Sequence, residues 1–364
     1  EVGCIGLGGR GAMIARMIRK HGGFRITAVA DYFPETATRM GAELEVAPER
    51  RFSGLSGFRQ LLDSGVDAVI LKTPPYCFPA HARAAVEAGC HVYMAKPVAC
   101  DVPGTRSIGE SARLAKEKNK VFLVDFQTRT DPFIQEGIRR VHAGEIGKLT
   151  MLESVYSDEC FRDPPLEKTV ENRLKHLIWV NDSALGGSYI VNCDIHAVDV
   201  ALWIAGAAPV AATGSSRRAR PQAHGDSHDV YSLTYEYADG LLHNHRSEHL
   251  KNRHGFQSNC IAHTQEGHLE TAYDGRVRML GLSKGYAGGE VEGLYQRGPV
   301  TNIADFHRQI MAGDATNPTV QPALDANYAT ILGREASGRR TRLTMAELLQ
   351  ENRTLAPDLA GLKP

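Results

Sequence analysis

No stretch of this 364-residue chain is apolar for long enough to cross a bilayer, which excludes a transmembrane helix. No signal peptide opens it. An excess of one charge is missing too. Lys plus Arg number 42 and Asp plus Glu number 42. That argues against a general nucleic-acid or membrane-surface binder, which needs a positive excess. Cysteine is sparse: the seven are odd in number and scattered, with no CxxC pair. They read as reduced thiols, several in the core, rather than a disulfide framework. Internal repeats and low-complexity tracts are absent. An initiator Met is absent as well, and Glu1-Val2-Gly3-Cys4-Ile5 already has the character of a strand. A cytoplasmic location is expected, or a periplasmic one if an export leader was removed.

What is present is ordinary globular composition, 42% hydrophobic and 23% charged. The length predicts two domains. Strand-like and helix-like runs alternate through the first third. Residues 2–5, 24–30, 67–71, 91–94 and 121–124 read as strands, and 12–20, 58–64, 79–88 and 105–118 as helices. That alternation predicts a parallel sheet covered on both faces. After about residue 126 strand-like runs follow one another at 149–156, 230–237, 241–247, 256–262 and 267–273, with Asp239-Gly240 and Asp274-Gly275 as turn signals. One helix, Ile195 to Ile204, interrupts them, and helices return from Asn302. The fold class expected is α/β. An N-terminal doubly wound Rossmann domain over residues 1–126 precedes an α+β domain over 127–364 with an open, mostly antiparallel sheet. The last helices are expected to pack back on the first domain.

The sharpest motif is Gly6-Leu7-Gly8-Gly9-Arg10-Gly11, between the first strand and the first helix. Gly6 suits the tight turn, Gly8 the approach of a pyrophosphate, and Gly11 the packing of helix on sheet. The helix N-terminus offers free N–H groups to phosphate. Asp31 ends the second strand about twenty residues on, where a carboxylate accepts from ribose hydroxyls and repels a 2′-phosphate. NAD is therefore expected over NADP, although Arg10 weakens that exclusion. Lys96 follows a buried strand, at the end of the sheet where ligands bind. On position alone it reads rather as an exposed loop lysine.

These pieces are joined by others: Thr73-Pro74-Pro75 followed by His81, Ala88-Gly89-Cys90-His91-Val92 leading into Lys96-Pro97-Val98-Ala99, and Gly144-Glu145-Ile146-Gly147. Gly186-Gly187 with His196 and Asp199 follows, then Asn302-Ile303-Ala304-Asp305-Phe306 and Gly333-Arg334-Glu335-Ala336. In this order, over nearly the whole chain, they resemble the glucose–fructose oxidoreductase / inositol dehydrogenase (Gfo/Idh/MocA) family. The resemblance implies NAD(P)-dependent oxidation or reduction of a sugar, glycoside or polyol hydroxyl, in a homodimer or homotetramer. It implies Lys96, His196 and Asn192 as the catalytic set. The family's glutamate before the lysine is Ala95 here, and its aspartate four residues before the histidine is Asn192. An amide orients a hydroxyl but takes no proton, which leaves base duty to His196. Asp199, a turn later, is expected to orient that ring or to serve packing.

The cofactor set so implied is Gly6, Leu7, Gly8, Gly9, Arg10, Gly11, Asp31, Thr73, Pro74, His81, Lys96 and Pro97. Gln127, just after the last strand of the first domain, joins it. Arg129, Tyr156, Arg162, Trp179, Tyr189 and Asp199 are substrate candidates. His243, His245 and His249 read as histidines on a polar sheet face or a subunit interface, and no metal is expected. Two other functions remain open at this level. One is an NAD-dependent enzyme that cleaves glycosides by transient oxidation and elimination. The other is a non-catalytic NAD-binding sensor.

Overall fold

The computed structural model describes residues 1–161, 170–175, 177–221 and 225–364. A six-stranded, all-parallel sheet comes first: β1 (Val2–Ile5), β2 (Ile26–Asp31), β3 (Arg51–Ser53), β4 (Ala68–Leu71), β5 (His91–Ala95) and β6 (Phe122–Asp125). Its order is β3-β2-β1-β4-β5-β6, the doubly wound order expected of a Rossmann sheet. Strands β1, β4 and β6 are buried at every residue, as crossover helices on both faces require. Those helices are α1 (Gly9–His21), α2 (Pro34–Glu43), α3 (Gly57–Asp63), α4 (Phe78–Glu87) and α5 (Val102–Glu117). Strand β3 and helix α2 carried no clear sequence pattern, and the strand is only three residues long.

Among the described residues the second sheet has nine strands, β7 (Leu149–Asp158), β8 (Ala211–Arg217), β9 (Val230–Glu236), β10 (Leu242–His249), β11 (Gln257–Thr264), β12 (Gly267–Ala272), β13 (Val277–Gly281), β14 (Gly285–Gly289) and β15 (Leu343–Thr344). It is antiparallel except where β10 lies parallel to β7 at its centre. One helix was expected within this region, and the structure has more. Helix α6 (Pro132–His142) starts where the Asp131 carboxylate accepts from the N–H groups of Phe133 and Ile134, with Pro132 at the first helical position. The short helices α7 (Val170–Arg173) and α8 (Ser183–Gly186) lead to α9 (Ile195–Ala205), which lies on the inner face of the sheet.

Helices α10 (Leu294–Ala312), α11 (Val320–Arg339) and α12 (Met345–Glu351) end the fold. Two of them lie against the first sheet. Ile303 and Phe306 of α10 join the apolar cluster under β1 and α1, and Val320, Ala323 and Leu324 of α11 join the cluster around β5 and α5. Between these helices, Asn317 and Thr319 accept from the N–H groups of Phe122 and Val124, which satisfies the free edge of β6. Among the described residues no helix is long and apolar enough to cross a membrane.

Candidate functional site

A cavity of about 1350 Å³ runs from the carboxyl ends of the parallel strands to the start of α9. Its floor is the glycine turn. Gly6 has φ +86°, and a Cβ there would stand 2.6 Å from the Lys72 carbonyl carbon. A Cβ on Gly11 would stand 2.0 Å from the Gly6 oxygen. Both positions therefore admit only glycine. At Gly8 and Gly9 a Cβ would meet nothing, so the backbone there is bare towards the cavity. Helix α1 starts at that point with no side chain capping its N–H groups. A bare backbone and an uncapped helix N-terminus fit a diphosphate.

Asp31 lies at the cavity wall. Its carboxylate accepts from the N–H of Leu7 at 2.7 Å and of Phe33 at 3.0 Å, tying the glycine turn to the end of β2. Burial raises its pKa, against those two hydrogen bonds. Arg10 donates to the Tyr295 carbonyl at 2.9 Å and lies over the Tyr295 ring. Its Nη2 is buried without a partner, which suits it to an incoming anion. Thr73, Pro74 and His81 also line the cavity. Burial holds His81 at a pKa of about 3, so it is neutral there, its Nδ1 3.4 Å from the Thr73 hydroxyl.

The catalytic candidates converge on the other end. Lys96, Asn192 and His196 all line the cavity. Lys96 Nζ donates to the Asn192 carbonyl at 2.5 Å. Burial lowers its pKa to about 8. Pro97, joined to Lys96 by a cis peptide bond, lies behind the wall rather than in it. The His196 ring stands edge-on to Tyr273, with centroids 5.3 Å apart. Burial, and then the charges of Lys96 and Arg10, push it well below the ordinary histidine range, so the ring is neutral. Its Nδ1 is buried and carries no hydrogen bond.

Three of the substrate candidates are placed elsewhere. Asp199 does not orient His196. Both its oxygens are taken by Arg129 at 2.8–3.2 Å, and Arg129 lies over Trp203. A buried carboxylate is held by the nearest rigid cation, and this pair lies outside the cavity wall. Tyr189 is fully buried in the core, stacked on His249, with its hydroxyl accepting from the Phe161 N–H. Arg162 lies outside the described residues. Tyr156 and Trp179 do line the cavity.

A buried polar network was missed. Lys72 and Asp125 form an ion pair at 2.9 Å, with side chains 2% and 1% exposed. Asp125 also accepts from Gln127 at 3.0 Å and Asn302 at 2.8 Å, and Gln127 accepts from the Tyr273 hydroxyl at 3.1 Å. Burial pushes the Asp125 carboxyl up, but Lys72, Arg10 and the Asn302 amide outweigh it and hold it below the usual carboxylate range. The one signal was position. Lys72 and Asp125 stand at the ends of β4 and β6, where a doubly wound sheet keeps its site.

His243, His245 and His249 do not lie on an open polar face. All three are buried beneath α9. Asp194 accepts from His245 at 3.2 Å, His249 at 2.8 Å and Ser247 at 2.5 Å, and Ser154 bridges His243 and His245. Among the described residues no group of side chains is arranged to hold a metal ion.

Two family models match this chain. The model described as "Oxidoreductase family, NAD-binding Rossmann fold" matches residues 1–126, and the "GFO/IDH/MocA C-terminal domain" matches residues 134–270. The chain is 27% identical to the scyllo-inositol 2-dehydrogenase (NAD(+)) of Bacillus subtilis, over 58% of this chain and 56% of that protein. It is 29% identical to inositol 2-dehydrogenase 2 of Saccharopolyspora erythraea, over 66% and 64%. The matched stretch thus spans less than two thirds of either relative. Two solved structures share the fold over most of their length. Levoglucosan dehydrogenase in complex with NADH and levoglucosan superposes with a TM-score of 0.77 at 19% identity, covering 94% of this chain and 98% of that one. An aldose–aldose oxidoreductase from Caulobacter crescentus, complexed with glycerol, has a TM-score of 0.75 at 18% identity, covering 94% and 98%.

Proposed function

The chain belongs to the Gfo/Idh/MocA oxidoreductase family, and from that premise we propose that it transfers hydride between a sugar, glycoside or polyol carbon and NAD. One observation carries the reading. The bare glycine turn and the group Lys96, Asn192 and His196 open into one cavity. Gly8, Gly9 and the α1 N-terminus would hold the diphosphate, with Arg10 beside it. Asp31 would take the ribose hydroxyls. When bound, the nicotinamide supplies the hydride acceptor.

The rest is work for the chain's own side chains. His196 is kept neutral by burial, so a ring nitrogen has a lone pair for the hydroxyl proton, while the same burial makes it a weaker base. Lys96, held on the Asn192 carbonyl, donates a hydrogen bond to the same hydroxyl oxygen and offsets the charge that develops there. The Asn192 amide orients that hydroxyl without taking its proton. Tyr156 and Trp179 offer ring faces to a sugar.

The test is a panel of polyols, anhydrosugars and glycosides with NAD⁺, following NADH and product together. Inositols and levoglucosan lead the panel, because the relatives are named for them. Lys96→Met and His196→Ala are each expected to lower turnover about 10²–10⁴-fold, with NAD⁺ affinity nearly unchanged. Full activity in both variants sinks the assignment.

A further inference from the structure

The segment after α12 carries no regular strand or helix, yet it does not run out into solvent. It returns across the first domain. The Leu355 N–H donates to Asp101 Oδ2 at 2.7 Å. Further on, the Lys363 N–H donates to the Tyr32 hydroxyl at 3.2 Å, and the Leu55 N–H donates to the Lys363 carbonyl at 3.1 Å. Gly54, with φ +80°, lies so close beneath that a Cβ on it would stand 2.1 Å from the Pro364 oxygen. Leu355, Pro357, Leu359 and Leu362 are half-buried while the residues around them are exposed. The apolar side chains therefore face the domain.

Where the segment lands matters. Tyr32 directly follows Asp31 at the end of β2, and Gly54 and Leu55 directly follow β3. In a doubly wound sheet the carboxyl end of the second strand meets the adenosine half of a dinucleotide. Leu359 and Leu362 line the large cavity there, together with Tyr32, Phe33 and Leu55. The result is an apolar slot of the kind a flat purine fills. The Rossmann domain supplies Tyr32, Phe33 and Leu55 to it, and residues some three hundred positions later supply Leu359 and Leu362. Neither matched family model reaches that far, since the second ends at residue 270.

We propose that residues 355–363 form the outer wall of the adenosine site, with Leu359 and Leu362 covering the adenine face. This rests on the NAD reading above. The segment then acts as part of the cofactor site, and it slows adenosine release by closing the slot from the solvent side.

The test is calorimetric binding of ADP-ribose and, separately, of nicotinamide mononucleotide. Three proteins are compared: the full chain, the chain ended after Arg353, and the full-length double variant Leu359→Ser with Leu362→Ser. In both altered proteins the Kd for ADP-ribose is expected to rise at least about tenfold. Affinity for nicotinamide mononucleotide and the melting temperature of the double variant should stay close to those of the full chain. The double variant keeps the segment's backbone, so it decides the matter if the shortened chain fails to fold. Unchanged or tighter ADP-ribose binding in the double variant overturns the proposal, tighter binding marking the segment as a plug. Equal losses for both ligands overturn it too, because the effect is then general loosening. If the full chain binds neither ligand, the NAD reading falls and this proposal falls with it.

Discussion

Lys96 and His196 stand where burial opposes positive charge, and this has a measurable cost at Lys96. Its folded pKa is about 8, against an ordinary lysine value near 10.4. The unfolded chain therefore binds more protons between those values, and stability rises with pH across that window. Below about pH 8 the full penalty for the buried ammonium is present. Lys96→Met is accordingly expected to stabilise the protein at pH 7, by on the order of 1–3 kcal/mol. The gain should shrink as pH climbs from 8 towards 10.4. Thermal melts of both proteins at pH 7 and pH 10 check this, and a gain independent of pH would count against a charged Lys96. A stabilising mutation that removes turnover is the expected signature of a functional site.

At the scale of the element, the decisive piece is the turn at Ile190–Asp194 that leads into α9. It is wound as a π-helix, a form that recurs at functional sites. Asn192 within it and His196 just after it both reach the cavity, while Asp194 points the opposite way into the second sheet. Burial pushes the Asp194 carboxyl up, but His249 and His245 outweigh it and hold the pKa at about 2. A carboxyl depressed on folding stabilises above its unfolded pKa, near 3.9, and loses that contribution as pH falls through 2. Asp194→Asn leaves three donors facing an amide. It is expected to cost on the order of 3 kcal/mol at pH 7, and the deficit should narrow near pH 2. Urea denaturation at the two pH values measures both. Turnover should fall with it, because α9 loses the anchor that sets the position of His196.

The glycine turn is the other element with a sharp consequence. Gly11→Ala places a Cβ 2.0 Å from the Gly6 oxygen, a contact with backbone that no rotamer relieves. It is expected to weaken NAD⁺ binding by more than about tenfold. Gly9→Ala, where a Cβ meets nothing, should leave the fold intact. Isothermal titration of the two variants separates the roles. Equal behaviour would mean that helix–sheet packing does not set the cradle.

For the whole molecule, two sheets share their helices. Ile195 from α9 and residues of α10 and α11 complete the clusters around the first sheet. Asn302 of α10 holds both Asp125 and the Phe126 carbonyl. A fragment of residues 1–126 would expose these faces to water, and it is expected to lack a cooperative melt. The full chain should unfold in one transition. Calorimetry of both checks this, and two well-separated transitions in the full chain would contradict it.

Much of this protein was legible in its residues. The alternating apolar runs and the glycine spacing determined a doubly wound sheet with a bare glycine turn at a helix start, because both are local. Period, turn and helix start lie within thirty residues of one another. Lys96 and His196 were singled out as candidates through the family's motif order rather than through chemistry of their own. The partners of each buried charge were not legible. Lys72 met Asp125, Arg129 took Asp199, and Asp194 gathered His245 and His249, across separations of 51 to 70 residues. Sequence spacing carries no signal for such pairs. Which acid satisfies which base is settled only when the sheets pack and exclude water. The tertiary structure alone also decided that the last residues of the chain come to rest beside Asp31, near the first.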